Sequence, residues 1–357
     1  MIPKNKKIAL LHPYVDKTWW ALKMMLYLSS FLSKTNQVSF FTFYFNKSKN
    51  FDYIKDFVIR DYYNKKPWKI FSLFLIAYHI RKYDYIISWN SPMHFAGVFS
   101  KIIFLSKAKL IWWNHHYPWY YSWDTNFFII LKRFLEKLIL KKIDLVLANS
   151  YFLRDSIKDI YWLDSYVLYP TLDKFFNNSP KAKNSDHFTL FTYSRWVKWK
   201  NIELIFKLYE NLKSEYKNLK IFIWWQWEEL QFYKNKYKSV KNIIFLWFLN
   251  KEDILFYLNK SNIFLFPSKI DSFWIVALEA MSQSLPVICF EKAWIKEIVD
   301  DSKNGFLVKT DDEFIKKTKK LLDNPSLRKK FWESAYKKSK CFDESSFLKS
   351  LSEIFSF

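Results

Sequence analysis

The chain has 357 residues, half of them hydrophobic and a quarter charged, with a formal net charge of +23. This is globular composition, long enough for two ordinary α/β domains, and it excludes a disordered chain or a small disulfide scaffold. The positive balance favours anionic partners such as phosphates, acidic lipid or nucleic acid, although Lys far exceeds Arg, which points to an A+T-rich gene as one source of the charge.

The basic N-terminus leads into a short apolar run, Ile8 to Leu11, which reads as a first strand and not as a signal peptide. No stretch reaches the ~18 apolar residues of a membrane span. Further strands are expected at Val38–Phe45, Tyr85–Ser88, Leu110–Trp113, Leu145–Asn149 and Tyr166–Tyr169, with amphipathic helices between them, such as Asn126 to Lys141. Residues 168–187 are rich in Pro, Asn, Ser and Lys and read as a break. A second series starts at 187–195 and continues with strands at Ile221, Ile243, Ile263 and Val287. Repeated β-α units imply an α/β protein with two Rossmann-like parallel-sheet domains. The expected division is 1–170 for the first domain, 171–187 for a linker and 188–340 for the second. A last helix within 341–357 has no strand after it and is placed back on the first domain. The two cysteines, Cys289 and Cys341, have no metal-type spacing and suit a reducing cytoplasm.

Glycine is nearly missing. Only Gly97 and Gly305 occur, where an ordinary content of about 7% would give roughly 25. Tryptophan occurs 18 times, and many copies stand where a backbone must bend or approach a ligand. Trp19 and Trp20 follow the first strand and open a helix. Trp224, Trp225 and Trp227 occupy an expected strand-to-helix turn, "KIFIWWQWEEL", where three side chains of about 150–250 Å² each have nowhere to go. Trp247 follows a strand, Trp162 ends a helix, Trp199 and Trp274 precede helices, and Trp294 sits in a turn. Such positions ask for glycine. A gene that reads UGA as glycine, translated with UGA as tryptophan, gives this pattern. Trp112, Trp113, Trp119 and Trp332 sit where an indole is natural.

With Trp274 and Trp294 taken as glycine, the run "FPSKIDSFWIVALEAMSQSLPVICFEKAWIKEIVDDSKNGFLV" (266–308) resembles the signature of glycosyltransferase family 4, retaining enzymes of GT-B fold. The family carries two acids eight residues apart around a glycine turn, and here they are Asp271 and Glu279. The first is usually Glu, so Asp271 has a shorter reach. The resemblance implies that Glu279 holds the donor ribose hydroxyls, while Asp271 and the backbone at Trp274 contact the donor sugar. A carboxylate suits both tasks because it accepts several hydroxyl hydrogen bonds. Apart from the family, this acid pair alone would read as solvated helix charge.

The segment "YSRWVKWKNIELI" (193–205) is similar to the family's basic motif, with Arg195 and Lys200 on the positions that hold the donor diphosphate. Two cations beside a helix N-terminus suit an anion. Tyr193 and Ser194 replace the family's small residue and glycine. The stretch "IFIWWQWEEL" reads as the family's strand, glycine turn and acid. "IIFLWFLNKEDILFYLNKSNIFLFPS" matches a stretch whose backbone, here Phe248 and Leu249, lies near the nucleotide base. "DKTWWALK", read with glycine at Trp19 and Trp20, matches the glycine-rich first loop that approaches donor phosphate and acceptor. "NHHYPWYY" (114–121) supplies His115 and His116, of which His116 is slightly favoured, to orient the donor sugar; a buried core histidine pair is the alternative. No metal and no cofactor are expected, because Arg, Lys and helix dipoles neutralise the leaving diphosphate in such enzymes.

The resemblance implies a retaining transfer of a hexose-type sugar from a nucleotide diphosphate donor to the hydroxyl of a glycan or lipid-linked acceptor in the cell envelope, with no nucleic-acid partner. Helices expected at 68–82 and 127–142 combine apolar faces with Lys65, Lys66, Lys69, Arg81, Lys132, Arg133, Lys141 and Lys142. They suit an anionic membrane surface, giving a cytoplasmic protein peripheral on the inner face, or else simply pack on the sheet. Two rivals stand beside this reading: a Trp-rich binder of single-stranded nucleic acid or glycan, and an inactive family member that only binds nucleotide or glycan.

Overall fold

Short runs rich in Ile, Leu, Val and Phe form parallel strands in this chain, and the amphipathic segments between them form helices. The structure is a computed structural model that describes residues 3–15, 20–45, 58–61, 69–89, 93–115, 134, 136–177, 180, 188–193, 201–225, 231–247, 249–269, 275–292 and 295–355. The chain divides into two compact units, Met1–Pro170 with Leu348–Phe357, and Thr171–Phe347.

In the first unit the strands are β1 (Lys7–Leu11), β2 (Tyr14–Val15), β3 (Gln37–Thr42), β4 (Tyr44–Phe45), β5 (Val58–Asp61), β6 (Tyr85–Ser88), β7 (Lys109–Asn114), β8 (Leu145–Ala148) and β9 (Tyr166–Val167). Seven of them form one sheet in the order β5-β3-β1-β6-β7-β8-β9, and every pairing in it is parallel. β2 and β4 pair separately. The chain winds outward from β1 through β3 to β5, then restarts on the other side at β6. The switch point therefore lies between β1 and β6, where doubly wound sheets open a crevice at their carboxyl ends. The core joins Leu11, Phe41, Ile86 and Leu110 of the sheet to Ile76 and Ile80 of helix Lys69–Ile80 and to Met93 of helix Met93–Ile102. Helix Tyr151–Tyr161 buries Leu153, Ile157 and Tyr161 against Trp112, Val146 and Ala148; the spacing of four puts the three on one face. Phe355 brings its ring to 6.3 Å from that of Tyr85.

In the second unit the strands are β10 (Thr189–Thr192), β11 (Lys220–Trp225), β12 (Ile243–Trp247), β13 (Ile263–Phe266), β14 (Val287–Phe290) and β15 (Gly305–Val308). Their order is β12-β11-β10-β13-β14-β15, again all parallel. The switch point lies between β10 and β13. One apolar cluster includes Leu190, Ile221, Ile263, Ile288 and Phe306 of the sheet with Leu204 and Leu208 of helix Glu203–Leu212 and Phe314 of helix Asp311–Asp323. Residues just before β10 are part of this unit: the 3-10 turn Lys174–Asn177 buries Phe176, whose carbonyl accepts from Gln283 Nε2 at 2.9 Å.

β5 and β15 were not expected. Each is four residues long, and "VIRD" shows neither alternation nor flanking turn residues. β11 corrects a second expectation. Trp224 and Trp225 are not turn residues but the end of the strand, paired with Leu246 and Trp247 of β12. Extended backbone accommodates any side chain there. Both glycines serve close packing. A Cβ on Gly305 would stand 2.2 Å from the carbonyl oxygen of Val287, and one on Gly97 would stand 2.4 Å from Leu110 Cδ1.

Candidate functional site

In the second unit the switch point is furnished by Tyr193 and Glu279. Tyr193 directly follows the central strand β10, and Glu279 lies on helix Ile275–Ser282, downstream of the neighbouring strand β13. That helix starts after the segment 270–274 and buries Ala277, Leu278, Ala280 and Met281. Glu279 is left half-buried, and the Tyr193 hydroxyl donates to its Oε2. The Tyr193 ring is stacked on Phe191 (centroids 5.2 Å apart, planes at 21°) and meets the edge of Phe264 at 5.5 Å. Burial, and next the Glu279 carboxylate, push the Tyr193 phenol well above its ordinary pKa, so the proton stays on the phenol and the bond keeps its direction.

Two further elements bring backbone to the carboxyl ends of this sheet. Helix Lys251–Lys260 follows β12 and starts with a capping box: Asn250 Oδ1 accepts from Asp253 N at 2.8 Å, and Asp253 Oδ2 accepts from Asn250 N at 3.1 Å. This fixes the chain direction at half-buried Leu249. Asn201, next to Lys200 in sequence, has φ 50° just before helix Glu203–Leu212. Beside Tyr193, at 6.4 Å, lies the ring of Trp224, whose buried indole N–H has no hydrogen-bond partner among the described residues.

In the first unit His115 directly follows β7 and is buried. Its ring lies flat on Trp89, with centroids 4.3 Å apart and planes at 4°, and 4.8 Å from Trp113. Trp89 follows β6, and His12, whose ring is 6.5 Å from that of Trp89, follows β1. Three aromatic rings from three adjacent strands thus gather at the carboxyl end of this sheet, around its switch point. Among the described residues no three His, Cys, Asp or Glu side chains are grouped as a metal site requires.

Of the residues named from the sequence, His115, Leu249 and Glu279 are placed as described, and Trp20 is the first residue of helix Trp20–Ser33. His116, Arg195, Lys200, Trp19, Phe248, Asp271 and Trp274 lie outside the described residues. Sequence reading missed the Tyr193–Glu279 bond and the His12–Trp89–His115 stack. A signal was present at Tyr193, His12, Trp89 and His115, each of which stands just past the carboxyl end of a strand. Trp332, in helix Pro325–Ser339, donates its indole N–H to the Asn262 carbonyl at 3.0 Å.

The family "Glycosyltransferase Family 4" matches residues 23–174, and the family "Glycosyl transferases group 1" matches residues 173–338. An uncharacterised 41.2 kDa protein of the cps region of Klebsiella pneumoniae is 21% identical over 301 residues, 78% of this chain and 80% of that one. The Campylobacter jejuni N-acetylgalactosamine-N,N'-diacetylbacillosaminyl-diphospho-undecaprenol 4-alpha-N-acetylgalactosaminyltransferase is 25% identical over 256 residues, 68% of each chain. Among solved structures, HepE of Anabaena in complex with UDP and glucose superposes with TM-score 0.77 at 16% identity, covering 99% of this chain and all of that one. The lipopolysaccharide outer core galactosyltransferase WaaB gives TM-score 0.75 at 14% identity over 98% and 99% of the two chains.

Proposed function

Because the chain belongs to the glycosyltransferases, its halves matching their family 4 and group 1 domains and its fold being GT-B, we propose that it moves a hexose-type sugar from a nucleotide diphosphate donor to a hydroxyl acceptor with retention of configuration. The observation that carries this reading is Glu279, held by Tyr193 at the switch point of the second sheet, where such sheets take their ligands. Glu279 accepts from the donor ribose hydroxyls. Asp271 and the backbone after it hold the sugar. Arg195 and Lys200, ahead of helix Glu203–Leu212, neutralise the diphosphate as it leaves, with the helix N-terminus adding partial positive charge. The acceptor is taken by the first unit, whose His115 or His116 orients the transferred sugar. The leaving phosphate acts as the base for the acceptor hydroxyl.

This chemistry needs open backbone at the glycine-type positions, so glycine stands in the working protein at 19, 20, 199, 224, 225, 227, 247, 274 and 294. An indole at 224 would otherwise lie beside the carboxylate's partner, with its N–H buried and unbonded among the described residues. Peptide mass spectrometry of the protein from its own host checks this. Glycine is expected at these nine positions and tryptophan at 119 and 332; tryptophan throughout would contradict it. The activity test uses the glycine-bearing chain with UDP- and GDP-sugars. Glu279→Ala and Asp271→Ala should each lower transfer about tenfold to a hundredfold, the loss of a hydrogen bond to a charged group. Turnover unchanged in both variants would refute the assignment.

The Campylobacter relative is named for a diphospho-undecaprenol substrate, which supports a lipid-linked acceptor and a cell-envelope role here. No helix among the described residues is long and apolar enough to cross a membrane. On this reading the acceptor is met at a membrane surface. The first unit presents one. Phe71 and Tyr78 of helix Lys69–Ile80, Ile102 at the end of the neighbouring helix with Ile103 and Leu105 after it, and Phe134 and Leu138 are exposed. Tyr78 touches Phe104 at 5.6 Å, and Lys101 reaches the Lys142 carbonyl at 3.4 Å, which joins the three segments into one face. Lys82, Lys107, Lys141 and Lys142, on or next to the same segments in sequence, are exposed. Flotation with acidic liposomes at low salt should carry the protein up, and Ile103→Ser with Leu105→Ser should release it. A protein that stays at the bottom with acidic and neutral liposomes alike contradicts the surface assignment.

A further inference from the structure

We infer that Tyr193 is a positioning residue for the donor, locking the Glu279 carboxylate into the orientation that meets the nucleotide ribose; this rests on the reading of Glu279 given above. A glutamate on a helix face has three side-chain torsions and samples several rotamers. Here the Tyr193 hydroxyl donates to Oε2, and the phenol itself cannot move. Its ring is 4% exposed and held between Phe191 and Phe264, residues of β10 and β13 on either side of the switch point. Neither ring stands at a glycine-type position, so this grip is independent of what occupies 224. A phenol donating to a carboxylate makes a strong, directional hydrogen bond. Burial keeps the phenol protonated, so it acts only as a donor toward Glu279 across the physiological range. The carboxylate is thus oriented before any ligand arrives, and the cost of fixing its rotamer does not fall on nucleotide binding.

The arrangement makes Tyr193 a determinant of ribose discrimination. The full chain is titrated with UDP or GDP, whichever it binds more tightly, and with the 2′-deoxy form of the same nucleotide. Tyr193→Phe keeps every ring contact and removes only the hydroxyl. It should reduce the preference for the ribonucleotide about tenfold and raise the donor KM more than it lowers kcat, with an unchanged circular dichroism spectrum. Glu279→Ala should remove the preference altogether. If Glu279→Ala removes it and a folded Tyr193→Phe retains the wild-type ratio, the inference about Tyr193 is overturned while the reading of Glu279 stands. If Glu279→Ala itself retains the ratio, the ribose assignment falls and this inference with it.

Discussion

Trp162 shows at one residue what the scarcity of glycine costs. It caps helix Tyr151–Tyr161 with φ 56° and ψ 35°, and its N–H donates to the Lys158 carbonyl at 2.9 Å. This is the left-handed cap that glycine normally fills. The indole is exposed, with Lys137 Nζ 3.7 Å from its ring centroid. Left-handed backbone costs an L-residue about 1–2 kcal/mol, whereas an exposed cation–π contact returns about 0.5–1 kcal/mol. Trp162→Gly should therefore stabilise the chain by up to about 1.5 kcal/mol, visible as a higher denaturant midpoint at unchanged slope. A lower midpoint would show that the indole is native there. Elsewhere the chain reaches left-handed angles with Asn5, Leu105, Asn201, Ser284 and Ser302. Asn tolerates that region best of these. The positions that needed glycine were legible at Trp162 because a helix end is written in its periodicity. The turn itself was misplaced at Trp224 and Trp225, where β12 continues the pairing and keeps the backbone extended.

The elements that matter most are helix starts at the carboxyl ends of strands. The capping box at Asn250 and Asp253 ties helix Lys251–Lys260 to the turn that carries Leu249. Asn250→Ala should cost about 1 kcal/mol of stability, and it should raise the donor KM because the turn loses its fixed direction. An unchanged KM with the stability loss intact would place Leu249 away from the donor. Strands β10, β11, β13 and β14 were readable because both faces of a buried parallel strand are apolar, giving unbroken runs such as "IFLF" and "VICF". β15 was not, since its four residues hide behind a run of polar turn residues. The acid pair is proposed only through the family pattern, as spacing alone does not separate Glu279 from the many charges on solvated helices. Its partner Tyr193 was legible as a departure from that pattern, but the bond between them spans 86 residues of sequence and depends on the strand order.

At the scale of the whole molecule, two doubly wound parallel sheets each reverse direction once, between β1 and β6 and between β10 and β13. Alternating strand and helix patterns reveal that there are two such sheets; the order of strands comes from packing. Each reversal gathers chemistry that the sequence scatters: His12, Trp89 and His115 in one unit, Tyr193 and Glu279 in the other. The central claim is that the second gathering receives a nucleotide diphosphate. The measurement that tests it most directly is amide hydrogen exchange of the full chain with and without saturating UDP or GDP. The account predicts slowed exchange at residues 189–193 and 275–282. Nucleotide binding that protects neither segment would contradict it.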